Sequence, residues 1–271
     1  MKLLPLSATV GAALASVALT SPASASTDPC ATLGFFELVD RPTIVGTPCT
    51  VARDTLTFET GYYQNASKVG GTALAAYPLV RLRLGILKNV ELFGDMPNAI
   101  AKSGLGGRGV YTSEQAGFGL KVTLGSSTRV TYAFHGEITP PNPANSIMDA
   151  KQRYLVGFNS LVRLTPGIDL GGSVDLADGR RYGRAMASDL AVREALSLGY
   201  SLSTSTRITT ELATESGSRH GRAVANSEGD VVVQQRLSKR TLFDVELGSS
   251  FNTIHGVTKP HYLGSGLAFR I

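Results

Sequence analysis

The residues able to do chemistry in this chain are four histidines, two cysteines and a long series of arginines interleaved with carboxylates. His135 stands two positions before Glu137. In extended backbone that spacing puts both side chains on one face, where they form an interior hydrogen-bond pair or, with a third group, an acid/base dyad. No third group is at hand. Gly-x-Ser-x-Gly and His-Glu-x-x-His are both absent, and His220, His255 and His261 fall in long connections or at a strand edge. Gly104-Leu-Gly-Gly-Arg-Gly109 reads as a loop tip, because no βαβ pattern surrounds it. The expectation is therefore an interior pair for His135 and Glu137, no catalytic residue, no metal and no cofactor.

The arginines show where the faces lie. Val80, Leu82, Leu84 and Ile86 alternate with Arg81, Arg83 and Gly85, and after a turn near Leu87-Lys88-Asn89 the alternation resumes with Val90 and Leu92 against Glu91 and Phe93. A period of two marks a strand whose faces meet different surroundings, whereas a helix would scatter the arginines around its circumference. Folding this hairpin about Leu87 sets Arg83 opposite Glu91. The same construction pairs Arg163 with Asp169 across Pro166 and Arg236 with Asp244 across Arg240. An enclosed arginine without a carboxylate is costly, and a bidentate pair satisfies both partners. Carried to every strand, the polar face also encloses Glu59, Arg81, Lys121, Arg129, His135, Glu137, Arg153, Arg193, Glu211 and Glu246. The main expectation for these charges is an ion-pair lattice that fills the interior and fixes register. The alternative is a path for anions lined by unpaired arginines.

About twelve such alternating runs lie between Cys49 and Ile271. Their connections alternate in length. Short turns near Lys88, Ser126, Pro166, Thr204 and Lys239 alternate with long segments at 97–115, 139–152, 178–188, 215–229 and 252–260. A β-sandwich has no reason to sort its loops this way, whereas a transmembrane barrel keeps short turns at one rim and long loops at the other. No later segment has the ~18 unbroken apolar residues of a membrane helix. The fold expected is all-β: a transmembrane antiparallel up-and-down β-barrel of about 12 strands over residues 55–271, with periplasmic termini. Outward aromatics near strand ends, Tyr62, Phe118, Tyr154 and Phe251 at one rim and Tyr200 and Phe269 at the other, suit interfacial girdles.

The amino terminus supplies an address. Lys2, a weakly apolar stretch from Leu3 to Leu19 and the small residues Ala23-Ser-Ala25 read as a signal peptide over residues 1–25. Residues 26–54 form a periplasmic segment in which the only two cysteines, Cys30 and Cys49, are expected to form a disulfide. A loop of that size removes on the order of 3 kcal/mol of unfolded-chain entropy. Partners expected from this address are outer-membrane lipid, the barrel-insertion machinery and, for basic loop residues such as Lys102, Arg108, Arg180 and Arg219, lipopolysaccharide phosphates. Nucleic acid is not expected.

Three stretches carry a family resemblance: Asp40-Arg-Pro-Thr43, Thr47-Pro-Cys-Thr-Val51 and Leu56-Thr-Phe-Glu-Thr-Gly-Tyr62. With Arg83-Leu-Gly85, Val90-Glu-Leu92 and Gly119-Leu-Lys121, they resemble the opening half of the bacterial meta-pathway phenol-degradation family of outer-membrane transporter-like proteins. The Pro-x-Gly usual there before the first strand is Ala52-Arg-Asp54 in this chain. The resemblance implies a passive channel for small solutes, aromatic or hydrophobic compounds among them. A closed structural or surface-interaction barrel and an anion-selective pore for acidic sugars are the alternatives. Twelve strands spaced ~4.8 Å and tilted ~40° give a backbone radius of about 12 Å, which inward side chains narrow further.

Overall fold

Period-two alternation becomes ladder pairing in the computed structural model, which describes residues 35–41, 43–66, 73–103, 110–113, 116–127, 129–141, 152–177, 190–219, 222–252 and 261–271. The strands are β1 (Leu56–Ala66), β2 (Ala73–Leu87), β3 (Val90–Met96), β4 (Ala99–Ser103), β5 (Val110–Ser113), β6 (Gly117–Ser126) and β7 (Val130–Thr139). They continue with β8 (Arg153–Thr165), β9 (Ile168–Ala177), β10 (Ala191–Ser201), β11 (Thr206–Arg219), β12 (Arg222–Arg236), β13 (Thr241–Asn252) and β14 (His261–Arg270). All pairings are antiparallel. Because β1 pairs with both β2 and β14, the sheet closes on itself.

The closed wall has twelve strands, since two of them are interrupted. β3 and β4 pair successive parts of β2 in one register, and β6 and β5 face them in turn. The ladder stops between Val80↔Met96 and Tyr77↔Ala99, where Pro78 and Pro97 bring no N–H to it.

Five tight turns share one rim: β2–β3, β6–β7, β8–β9, β10–β11 and β12–β13. Leu237 and Ser238 both donate to the Thr241 carbonyl, at 2.9 and 3.2 Å, and Leu202 donates to Thr206 at 3.0 Å. Leu56 and Ile271 exchange backbone hydrogen bonds at this same rim, so the barrel begins and ends there. At the other rim two expected loops contain ladder. Segment 97–115 carries β4 and β5, and the pairing of β11 with β12 runs on to Arg219↔Arg222 through the segment read as a loop over 215–229. Such an extension mixes small, apolar and polar residues without a period of two, as in Ala99-Ile-Ala-Lys-Ser103 and Arg222-Ala-Val-Ala-Asn226, so the alternation that reveals a strand fades although the hydrogen bonds continue.

The outer surface is apolar on strand after strand. Leu84, Leu92, Leu120, Phe134, Val156, Leu176, Leu198, Leu212, Val233, Leu247 and Leu263 are all exposed, Leu212 at 61%. Apolar surface this continuous belongs in hydrocarbon. Phe118, Tyr154, Phe251 and Tyr200 are exposed on the same face, near the strand ends where the girdles were expected.

The interior is filled at the tight-turn end by the chain's own amino-terminal segment. A 3₁₀ turn, Phe35–Leu38, leads into an irregular stretch that ends where Asp54, with φ at 59°, turns the chain into β1. Phe35, Leu38, Val39 and Cys49 pack against Leu242 and Ala268 of the inner wall, and Val45 packs against Ala195 and Ala213. The expectation put this segment at the periplasmic side of the barrel. Its described part lies at the tight-turn end but within the lumen, where small wall residues leave it room. Residues 1–34, and with them the signal peptide and Cys30, lie outside the described residues.

Candidate functional site

The plug, residues 35–53, is held by buried charge. Arg83 of β2 has no exposed surface and uses all five of its N–H donors. Nε and Nη2 go to the Glu91 carboxylate at 2.9 and 3.0 Å, Nη1 to Glu59 at 3.2 Å and to the Leu38 carbonyl, and Nη2 also to the Cys49 carbonyl at 3.0 Å. Two wall carboxylates and two plug carbonyls thus meet on one guanidinium. Lys121 of β6 adds Asp40 at 2.9 Å and Glu91 at 3.5 Å.

Wall carboxylates also cap the plug backbone, which has no ladder of its own to satisfy its N–H groups. Glu59 accepts from Asp40 N at 3.3 Å and Arg41 N at 2.9 Å, Glu211 from Ile44 N at 2.6 Å and Val45 N at 3.1 Å, and Glu91 from Val51 N at 2.7 Å. Within the plug, Asp40 accepts from Thr47 N at 3.0 Å. Burial alone would raise the Asp40 carboxyl, but Arg83, Lys121 and Arg81 together hold it well below the usual carboxylate range. Glycines give the plug its clearance: a Cβ at Gly85 would stand 2.1 Å from the Ala52 carbonyl oxygen, and one at Gly61 would stand 2.3 Å from the Arg41 guanidinium.

Beyond the plug the lumen is lined by further pairs. Arg81 binds Asp95 at 2.8 Å through both Nε and Nη2, lies 3.9 Å from Glu137 and covers the ring of Phe93. Arg193 binds Glu228 at 2.8 Å, and Tyr262 donates to Asp230 at 2.9 Å. Glu246 is buried on β13, and Arg153 is half-buried at the opposite rim from the plug.

Several expected pairings are corrected by the register. Arg83 does meet Glu91, but diagonally: Glu91 stands across from Gly85 and Arg83 across from Phe93, because a bulge between Gly85 and Leu87 shifts the hairpin. Arg163 does stand across from Asp169, yet Asp169 binds Arg207 of β11 at 2.5 Å. Arg236 does not face Asp244. The β12–β13 turn is centred on Lys239, one position before Arg240, which moves the register by two, so Gln234 stands across from Asp244, while Arg236 lies over the Phe36 ring at 5.9 Å. His135 reaches Asp175 on β9 at 3.3 Å and not Glu137, since Gly157, across from both His135 and Asp175 on the intervening β8, leaves the space between the two side chains open. Arg129 is exposed in the β6–β7 turn and not in the lumen.

Sequence reasoning named no plug residue as part of this site, although Asp40, Arg41 and the backbone of residues 40–51 contribute to it. No period marks the segment, and the expected inward charges nearly balance without it, so neither gave a signal. Among the described residues no group of His, Cys, Asp and Glu is arranged to hold a metal ion.

No protein-family model matches the chain, and no curated protein matches it. Solved structures do resemble it. An outer-membrane channel from Pseudomonas putida F1 superimposes with a TM-score of 0.61 at 14% identity, covering 82% of this chain and 97% of that one. The NanC porin gives 0.54 at 10% identity over 80% and 100% of the two chains, and the KdgM porin 0.53 at 8% over 78% and 98%. At these identities the likeness establishes the fold.

Proposed function

We propose that this protein is an outer-membrane channel through which small solutes pass passively, narrowed at its tight-turn end by its own amino-terminal segment. The observation that carries this reading is the sorting of surfaces: an apolar exterior around a closed barrel whose interior is charged, hydrogen-bonded and only partly filled. The structural neighbours named for channel and porin activity support it, as does the sequence resemblance to transporter-like proteins of aromatic breakdown, from which aromatic or hydrophobic solutes are the finer proposal. In this reading the tight turns and both chain ends face the periplasm, lipid surrounds the barrel, the insertion machinery assembles it and its outer loops meet lipopolysaccharide.

One neighbour was solved with oligogalacturonate, an acidic sugar chain. An anion path needs cations without carboxylate partners, and here Arg81, Arg83, Lys121, Arg193 and Arg207 all have them. The geometry therefore favours neutral solutes over anions. A sealed barrel is the competing reading, favoured by the completeness of the Arg83 cluster. Planar-bilayer recording on refolded protein separates the two: a channel shows discrete conductance steps, and their absence rejects the proposal.

A further inference from the structure

Among the described residues, the ionic anchors of the plug leave mainly from one side of the wall. Glu59, Arg83, Glu91 and Lys121 belong to β1, β2, β3 and β6, and on the far side Glu211 holds the bend at Ile44 and Val45. Between the plug and the wall of β8–β12 there remains a small recess of about 40 Å³. Its wall side presents Ser160, Asp169, Ser197, Arg207, Thr209 and Gln234, and its plug side includes Phe36 and Val45.

The chemistry of this lining is specific. Arg207 and Asp169 are both buried and neutralise each other at 2.5 Å, with Thr209 accepting from Arg207 Nε at 3.3 Å. Gln234 is 2% exposed, and its Nε2 has no hydrogen-bond partner among the described residues. An unpartnered buried donor is costly, and a passing oxygen acceptor would satisfy it. An ion passing here must compete with an existing salt bridge, whereas a neutral molecule need not. Resting on the channel reading, we propose that solutes cross the plug through this recess, and that the Arg207–Asp169 pair makes it a passage for small neutral molecules carrying hydroxyl or carbonyl groups.

Three variants and one modification test this in planar bilayers. Asp169→Asn removes one negative charge beside Arg207 and should move the reversal potential in a salt gradient toward anion preference. Arg207→Gln should move it toward cations, and the double variant should return it close to the unmodified protein. Ser197→Cys should lose most of its own pre-treatment conductance on treatment with a methanethiosulfonate reagent, while the same reagent leaves the unsubstituted protein's conductance unchanged. Liposome swelling in glycerol should persist in the double variant. Normal conductance with no shift in either single variant and no block at position 197 overturns the passage and leaves the channel reading standing. Absence of conductance in the unsubstituted protein overturns both.

Discussion

Arg83 is the residue on which plug and wall depend together. Its five donors meet five acceptors, two of them plug carbonyls, so removing it unbinds the segment and strands two carboxylates at once. Arg83→Ala should destabilise by about 3–5 kcal/mol, the cost of an uncompensated buried charge. Replacing Arg83 and Glu91 both with Gln should recover part of the loss, because the pair's net charge is then unchanged. In a double-mutant cycle on urea unfolding in detergent, coupling of about 1 kcal/mol or more is expected, and additive effects would show that the two side chains do not meet. Asp40 gives the cluster its pH dependence. A carboxyl held below its ordinary pKa binds fewer protons folded than unfolded. Its contribution is therefore full above the unfolded value of about 3.9 and is lost as pH falls through the lower folded value. Asp40→Asn should cost about 3 kcal/mol at pH 7, and its deficit against the unsubstituted protein should shrink as acid removes from the latter the charge that the variant already lacks.

At the scale of elements, what was legible and what was not divides by surroundings. Alternation identified the wall strands and their inward residues because each strand separates an apolar exterior from a polar lumen, as Arg81, Arg83 and Glu91 against Leu82, Leu84 and Leu92 show. Registers were legible to within two positions, since a bulge such as that at Gly85 slides a ladder without altering the order of residue types. Where the sequence does not alternate, as toward Arg219 and Arg222, nothing announces the strand although the ladder continues. The plug was illegible because it has no period at all: its N–H groups are satisfied by carboxylates more than a hundred positions away in the case of Glu211. Its fit is nevertheless written in the wall as missing side chains. Gly85→Ala would set a Cβ 2.1 Å from the Ala52 carbonyl oxygen, too close to coexist with the plug backbone as it lies. The expected result is a loss of about 1–3 kcal/mol, with the plug displaced and its buried Phe35 and Leu38 opened to chymotrypsin while the barrel itself stays resistant. Unchanged cleavage would mean that the chain end shifts without leaving the lumen wall.

Taken whole, the molecule is a barrel whose inward charges are satisfied jointly by wall and plug. The plug brings Asp40, without which Arg81, Arg83 and Lys121 still keep Asp95 and Glu91 of the wall, and it brings Arg41 and backbone N–H groups that neutralise part of the field of Glu59, Glu91 and Glu211; Asp244, fully buried on β13, has no hydrogen-bond partner for either oxygen among the described residues and is acted on by Arg41. Deleting residues 35–53 should therefore do two things at once. The lumen widens, so single-channel conductance should rise. At the same time Glu59, Glu211 and Asp244 face water without their plug partners, so the widened pore should prefer cations, whereas loss of a merely steric obstruction would leave selectivity unchanged. The strand ladders are made between the barrel strands, apart from a single bridge of Arg53 to Gly85, and should still form, with the heat-dependent gel mobility of a folded barrel as the check. A rise in conductance with an unchanged reversal potential would reduce the plug to a space-filler. No rise at all in a variant that still folds would show that the constriction lies elsewhere, toward the rim of the long loops.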